Sequence, residues 1–497
     1  MRKKLITQGE ITKRHPIGMT YVTDSDYTNF ANVLLDVLRH AGVIDLSSNE
    51  YKEIAINLTL YYEDVMADIG IWRGFTDKVK ELYGRYLPFY ELKEDEYVRD
   101  EPNVEDVKFV IWNTFLTVRL PKGKLSNPET PVIARLAEVA YELMDEWFEE
   151  IPINEELQNF FRKAKFMDDF YAQREVLKWL SYNCYLTSII DSQKAIKDLV
   201  KKYSHLLKDK IDMHDEAECV LPYTQKTGPL ALRAPEWLGL ILRANGQKRK
   251  AIWTEQQDLK PLDIFKILES KEGQGVKLED TKGDTFFVTD AGLCNPSHYA
   301  YESKVVFASF VKYRDKWFVS SDSAWGTFGV ELFELTKSEL TKIYPGMGID
   351  YDDLMDNSGG SPFFYFKNYQ DMTDFLVNEM GMPKDRLKLI YVPEKDKKEK
   401  ALVVLNKKGE FFGLFGEKAE IFLKDVRNPY YEAEKAGKSN ALFTALKLPS
   451  EALRYAMEHD MLPDAYLNSI YGKERGKALF RENYDFFSRA VRREEYS

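Results

Sequence analysis

Four stretches of the sequence bring together residue types that could do chemistry. In LYYEDVMADIGIWRGF, Asp64 and Asp68 stand four apart, which puts both carboxylates on one helix face, as in metal-binding helical bundles. Those bundles pair such acids with a Glu-x-x-His step, and no histidine lies between His40 and His205. KIDMHDEAECVLP is the densest mixture of ligands: on a helix His214 and Glu218 lie one turn apart, with Asp215 and Cys219 on a neighbouring face, yet no second paired motif completes a zinc set. TDAGLCNPSHY places Asp290, Cys294 and His298 on one loop. A Cys-His couple can generate a thiolate nucleophile, but the partners of such sites converge from different elements. NSGGSPFF is glycine-rich, but no Gly-Lys-Ser/Thr follows it, so it does not read as a phosphate cradle.

Each of these stretches also has a structural reading, and that reading is favoured. The helix around residues 56–69 reads as a core stripe with a solvated acidic back, and acids crowded before a proline read as a solvated helix end. Cys219 is a poor nucleophile beside Glu216 and Glu218, and Cys184 belongs to a core. No catalytic residue and no cofactor is assigned, and His214 with Glu218 stays the weak metal candidate.

Two stretches suit binding better than catalysis. Trp72, Arg73, Phe75, Tyr83, Tyr86, Phe89 and Tyr90 form an aromatic-rich run over a helical core, a candidate groove for a protein partner. Between Lys226 and Lys250 six basic residues (Lys226, Arg233, Arg243, Lys248, Arg249, Lys250) face one acid, Glu236, giving a local charge of +5 in a chain of net charge -11. With Trp237 and Trp253 beside them, these residues could dock single-stranded nucleic acid by charge and stacking. They could equally dock the acidic run 91–106, with eight acids to two bases, or a protein partner.

These candidates must be positioned by three kinds of segment. From Asp24 to about Lys210 the apolar residues recur at three and four, predicting helices at 24–41, from 48 or 49 to 69, and at 104–118, 129–149, 154–163 and 168–209. Prolines 222, 229 and 235 then punctuate a basic connector holding a short helix at 234–243. DIFKILESK, QGVKLEDTKGDTFFVTD and KVVFASFVKYRDKWFVSS alternate with period two around TKGD and RDK, predicting hairpins that close as a small antiparallel barrel or curled sheet of about five strands. The last segment mixes helices at 336–343 and 368–380, two or three strands up to 415, and further helices after Glu417. The expectation is an α+β multidomain chain: helical domain 1–215, connector 216–259, small β domain 260–330 and α+β domain 331–497.

A length of 497 residues exceeds one core, and three cysteines at no recurring spacing argue for a reducing compartment without a disulfide framework. The N-terminus is basic but lacks the apolar segment of a signal peptide, and the longest uncharged run, Trp179 to Ile190, is 12 residues. A spanning helix needs roughly 20. A cytoplasmic location and no membrane partner are therefore expected.

LYYEDVMADIGIWRGFTDKVKELYGRYLPFYE, EPNVEDVKFVIWNTF and the C-terminal series AEIFLKDVRNPYYEAEKAG, MLPDAY and NYDFFSRAVRREEY resemble a bacterial family, common in the Bacteroides group, known only as a domain of unknown function. PINEEL at 152–157 and APEWLGLIL at 234–242 resemble it too, so the similarity runs over nearly the whole chain. Where the family has NWDF this chain has NYDF at 483–486, an exchange that keeps an aromatic group. The resemblance implies a cytoplasmic bacterial protein and carries no activity, cofactor or catalytic residue with it. The preferred reading is a non-enzymatic adaptor that binds a protein. The alternatives are a nucleic-acid-binding or ribosome-associated factor using 226–253, and a hydrolase or metal enzyme.

Overall fold

Helix boundaries in the first half of the chain follow its caps. The computed structural model describes residues 5–43, 46–92, 97–122, 124–207, 213–293 and 301–321. Beyond these it describes 330–331, 333–334, 352, 355–356, 358–382, 384, 387, 392, 394–405, 411–416, 423–438, 444–462, 471–493 and 496. The first helix, α1, is Gln8–Thr12, and α2 is Asp24–His40, ending before Gly42 at φ +72°. Helix α3, Ser48–Met66, opens with a reciprocal cap in which the Glu50 amide donates to the Ser47 hydroxyl at 3.2 Å and the Ser47 amide donates to the Glu50 carboxylate at 2.9 Å. Then come α4 (Ile71–Tyr83), α5 (Val104–Arg119), α6 (Pro131–Trp147), α7 (Glu155–Lys163) and α8 (Phe170–Tyr182). They are followed by α9 (Ser192–Leu207), α10 (His214–Thr224), α11 (Ala234–Ala244) and α12 (Lys248–Glu255).

Two expectations are corrected here. The helix expected over 168–209 is broken at 183–191, where the Thr187 hydroxyl and the Ile189 amide bond back to the carbonyls of Leu180 and Ser181, and Asp191, at φ +66°, opens α9. The stretch that was expected to run as one helix to Gly70 ends at Met66. Asp68 turns to φ +47°, and Gly70 becomes the residue that opens α4.

Helix α3 is buried on nearly every side, because α2 and α5 flank it, α4 follows it, and Tyr62 reaches α6 through a hydroxyl bond of 2.8 Å to the Met144 carbonyl. Helices α4 and α11 approach closely because Gly74 presents no side chain: a Cβ there would sit 3.1 Å from Leu240. Asn245, just past α11, donates to the Ile69 carbonyl at 2.7 Å and ties the two ends together.

The expected curled sheet is present. Strands β1 (Asp258–Lys271), β2 (Gly275–Glu279), β3 (Thr285–Thr289), β4 (Val305–Tyr313) and β5 (Lys316–Val319) pair antiparallel in the order β3-β2-β1-β4-β5. Register shifts in β1 between Lys260 and Asp263, around Pro261, and between Ile267 and Glu269 bend the strand, and the sheet wraps Phe265, Phe286 and Phe310 into its core. Arg314 and Asp315, at φ +47° and +63°, make a two-residue connection between β4 and β5 of the kind that matches strand twist. The helices and this sheet belong to one compact unit, residues 1–121 and 128–341.

A second unit comprises 122–127 and 342–497. It holds a three-stranded antiparallel sheet, β6 (Phe363–Phe366), β7 (Ala401–Leu405) and β8 (Phe411–Phe415), in that order. The first of these strands starts at the last two residues of the glycine-rich stretch NSGGSPFF. Phe364 and Phe366 pack on Phe375 of the helix Tyr369–Asn378. In the helix Lys473–Arg492, Arg489 pairs with Asp485 at 3.0 Å and Phe480, Phe486 and Phe487 are buried. The helix expected at 336–343 lies outside the described residues.

Gly70 stands at φ +95°, and a Cβ there would meet the Asn245 amide nitrogen at 2.8 Å. Gly70→Ala is expected to cost about 2 to 3 kcal/mol in urea denaturation. Gly84→Ala, at φ +72° with open space around it, should cost only about 1 kcal/mol. Equal losses would show that the α4–α11 approach adds nothing at Gly70.

Candidate binding site

The polar groups of the helical body divide into a buried set and an exposed set. The buried set corrects the expectation of a solvated acidic back: Glu63 and Asp64 lie inside, 1% and 2% exposed, because α3 is surrounded rather than laid on a surface. Asp64 accepts from the amides of Gly70 (3.0 Å), Ile71 (3.2 Å) and Trp72 (2.6 Å) and from the Tyr185 hydroxyl (2.8 Å), so it caps the next helix, α4. Burial pushes its carboxyl up to about 6 against those four bonds. Asp106 on α5 accepts from Trp72 Nε1 (2.8 Å), the Tyr61 hydroxyl (3.1 Å) and the Tyr97 hydroxyl (3.0 Å), and burial pushes it up to about 7.

The third buried acid, Glu63, accepts from Asn154 Nδ2 at 2.8 Å and lies 2.8 Å from His15 Nε2, while His15 Nδ1 stands 3.4 Å from Asp24. Burial opposes the imidazolium, but Glu63 and Asp24 outweigh it and hold the His15 pKa above its ordinary value. Burial raises Asp24 as well. These three clusters tie the helices of the body to one another.

That run is turned inward. Trp72, Phe75 and Phe89 are buried, as ring partners of Tyr61, Phe109 and Trp112. Tyr83, Tyr86 and Tyr90 are half-buried, Tyr86 under Lys80 and Arg99, and Tyr90 bonded to the Pro128 carbonyl at 2.8 Å. Arg73 pairs with Asp68 at 2.8 Å and donates to the Ala244 carbonyl.

The other sequence candidates are scattered. His214 is exposed and Glu218 half-buried on α10, and among the described residues no group of three or more His, Cys, Asp or Glu is placed to hold a metal ion. Cys219 is buried and its thiol is pushed up to about 11, first by that burial. Asp290 bonds the Tyr301 hydroxyl at 2.6 Å, and Cys294 and His298 lie outside the described residues.

The basic stretch divides. Trp237 is buried, with its indole nitrogen on the Thr227 carbonyl. Lys226 and Arg233 are half-buried, and Arg233 pairs with Glu236 at 3.1 Å. Arg243 pairs with Glu255, and Lys250 donates to the carbonyls of Lys163 and Ala164 (3.0 and 2.8 Å), closing the end of α7. Lys248 and Arg249 are exposed.

What remains open is a cleft of about 490 Å³ where α12 meets the β4–β5 hairpin, lined by Arg249, Trp253, Gln256, Asp258, Lys312, Arg314 and Asp315. Trp253 is half-buried, with the Arg249 guanidinium 5.0 Å and that of Arg314 4.0 Å from its ring centroid. Arg314 also donates to the Met167 carbonyl and pairs with Asp168 at 3.3 Å, which fixes the indole from the hairpin side. Lys312 lies 3.8 Å from Asp258 and 3.9 Å from Asp315, loose pairs that a ligand can exchange. The sequence pointed to Arg249 and Trp253. It gave no sign of Lys312, Arg314 or Asp315, because only the sheet's closure brings residues some sixty positions downstream to the same cleft.

The profile of a family described as protein of unknown function (DUF3843) matches residues 8–267 and 340–493. The chain belongs to this family. No curated protein and no solved structure matches it. The DUF3843 match contains one wall of the cleft, Arg249 to Asp258, and stops before the other, Lys312 to Asp315. Among the described residues no helix of this DUF3843 protein is long and apolar enough to cross a membrane.

The buried acids set a pH dependence. A carboxyl whose folded pKa is raised binds its proton more readily in the fold, so Asp24, Asp64 and Asp106 contribute stability that is fully present below their ordinary value of 3.8 and lost as pH rises through the folded values, about 6 for Asp64 and about 7 for Asp106. His15 acts in the same direction: its contribution is present below 6.5 and lost above its raised value. The thermal unfolding midpoint is expected to fall as pH rises from about 4 to about 7, and Asp106→Asn should flatten that fall. An Asp106→Asn midpoint with the full wild-type slope would rule out the assignment.

Proposed function

We propose that this protein works by binding another protein, as a cytoplasmic adaptor of Bacteroides-type bacteria, and that its contact surface is the cleft between α12 and the β4–β5 hairpin. The observation that carries this reading is the half-buried aromatic with fixed and exchangeable charge around it: Trp253 held by Arg314, Arg249 beside it, and Lys312 between two exposed carboxylates. Aromatic and arginine side chains at the centre of a patch are the usual anchors of protein contacts. The mixed sign favours a protein over a polyanion, since Asp258 and Asp315 would face a phosphate backbone at close range. The cytoplasmic, bacterial setting rests on the sequence resemblance and the reducing-compartment cysteine usage.

A second reading, nucleic acid, is favoured by the same indole and its two arginines, which suit base stacking and phosphate. One comparison separates the two. Tagged wild-type protein and Arg249→Glu/Lys312→Glu are each passed through host lysate, with and without nuclease. A defined protein that survives nuclease and is retained about tenfold less by the variant is the expected result. Protein partners lost on digestion, with nucleic acid in the untreated eluate, would replace the adaptor by the second reading.

A further inference from the structure

A separate cavity, about 530 Å³, opens in the helical body between α1, α3, the end of α5 and the 182–191 turn. Its buried floor holds Asn57 and Tyr185, each 6% exposed. Asn57 lies on the face of α3 that also carries Asn49 and Glu53, and it is the buried member of that row. Its Nδ2 donates to the Thr114 hydroxyl at 3.1 Å, and that hydroxyl in turn donates to the Val110 carbonyl at 2.8 Å, which fixes the orientation of the amide. The Asn57 carbonyl oxygen is buried and has no hydrogen-bond partner among the described residues. An acceptor at this depth calls for a donor, and the cavity is where one can reach it. Tyr185 is different: its hydroxyl is committed to Asp64, so it offers the cavity an aromatic surface rather than a polar group.

The walls continue that pattern. Ile56, Val118 and Ile189 supply apolar surface, and Asn183 and Asn49 add two further side-chain amides. Five charged residues stand at the mouth, Glu10, Lys13, Arg14, Glu53 and Asp191; Arg14 is paired with Glu53 at 3.1 Å and Glu10 with Lys52 at 2.7 Å, and the charges of opposite sign leave the floor to the amides. A cavity of this volume is of the size that takes a small ligand. A carboxamide presents an NH2 donor group and a carbonyl acceptor and no charge, so it can pair with both halves of a peptide link. Three of them around an apolar wall therefore match a chain of amides better than they match a charged metabolite.

We propose that this cavity binds a short peptide segment through its main chain, with a peptide N–H donating to the Asn57 carbonyl and the peptide's side chains resting on Ile56, Val118 and Ile189. The proposal is independent of the α12–hairpin cleft. The test uses the full chain and a blocked tripeptide, N-acetyl-Ala-Leu-Ala-amide, with its N-methylated counterpart as control, followed by calorimetry and saturation-transfer NMR. Wild type is expected to bind the blocked peptide, and the N-methylated form about tenfold more weakly. Asn57→Leu should lose about tenfold in affinity while its unfolding midpoint stays level or rises, a combination that a purely structural asparagine would not produce. If Asn57→Leu does not fold, Asn183→Ala carries the same binding expectation. Absence of binding to wild type, equal binding of the N-methylated peptide, or undiminished binding by the folded variants would overturn the proposal. Arg249→Glu/Lys312→Glu should bind the tripeptide as wild type does, so failure of the adaptor cleft and failure of this site give different results.

Discussion

The helical body depends on carboxylates that are buried without a full counter-charge. Asp64 is the clearest case: one side chain from α3 satisfies three amide groups at the start of α4, and Tyr185 closes its remaining side. A helix N-terminus gives an acid partial positive charge and directed donors, which is why burial raises its pKa only to about 6 instead of making the position untenable. Removing the carboxylate would leave those amides unpaired in a dry interior, a loss on the order of 2 kcal/mol or more. Asp106 repeats the arrangement with side-chain donors, and its three partners, Trp72, Tyr61 and Tyr97, come from three separate parts of the chain.

This explains why Trp72, at the head of the aromatic run 72–90, is buried. Trp72 has a backbone amide on Asp64 and an indole nitrogen on Asp106, so its ring is fixed between two acids and must lie inside. Sequence patterning identified the aromatic density and read it as a candidate groove over the helical core. The pattern that would have corrected this was present as well: acids at 63, 64 and 106 inside runs otherwise apolar are more readily explained as buried bonds than as a wet face. Periodicity alone does not separate a helix with one dry face from a helix that is dry all round.

The element types were legible because they rest on local chemistry. The proline at the start of α11, the glycine after α2 and the alternation of the middle strands each sit within a few residues of the boundary they set. What could not be read was convergence. Asp64 with Tyr185, His15 with Glu63, and Trp253 with Arg314 join residues 48 to 121 positions apart, and none of these pairs leaves a mark in spacing. The break at 183–191 was missed for a related reason: it is held by hydrogen bonds from Thr187 and Ile189 to the end of α8, not by a proline or glycine.

The β4–β5 connection consists of two residues, Arg314 and Asp315, whose backbones both take positive φ. Both residues also line the cleft, and both lie where the family profile does not reach. The hairpin is anchored from behind, by Phe318 stacked on Phe170 and by Arg174 donating to the Ser320 carbonyl at 2.9 Å. Its tip can therefore exchange residues while the strands beneath it hold their register. If the cleft is the contact surface proposed above, a change at these two positions would reshape one wall and leave the indole-bearing helix in place.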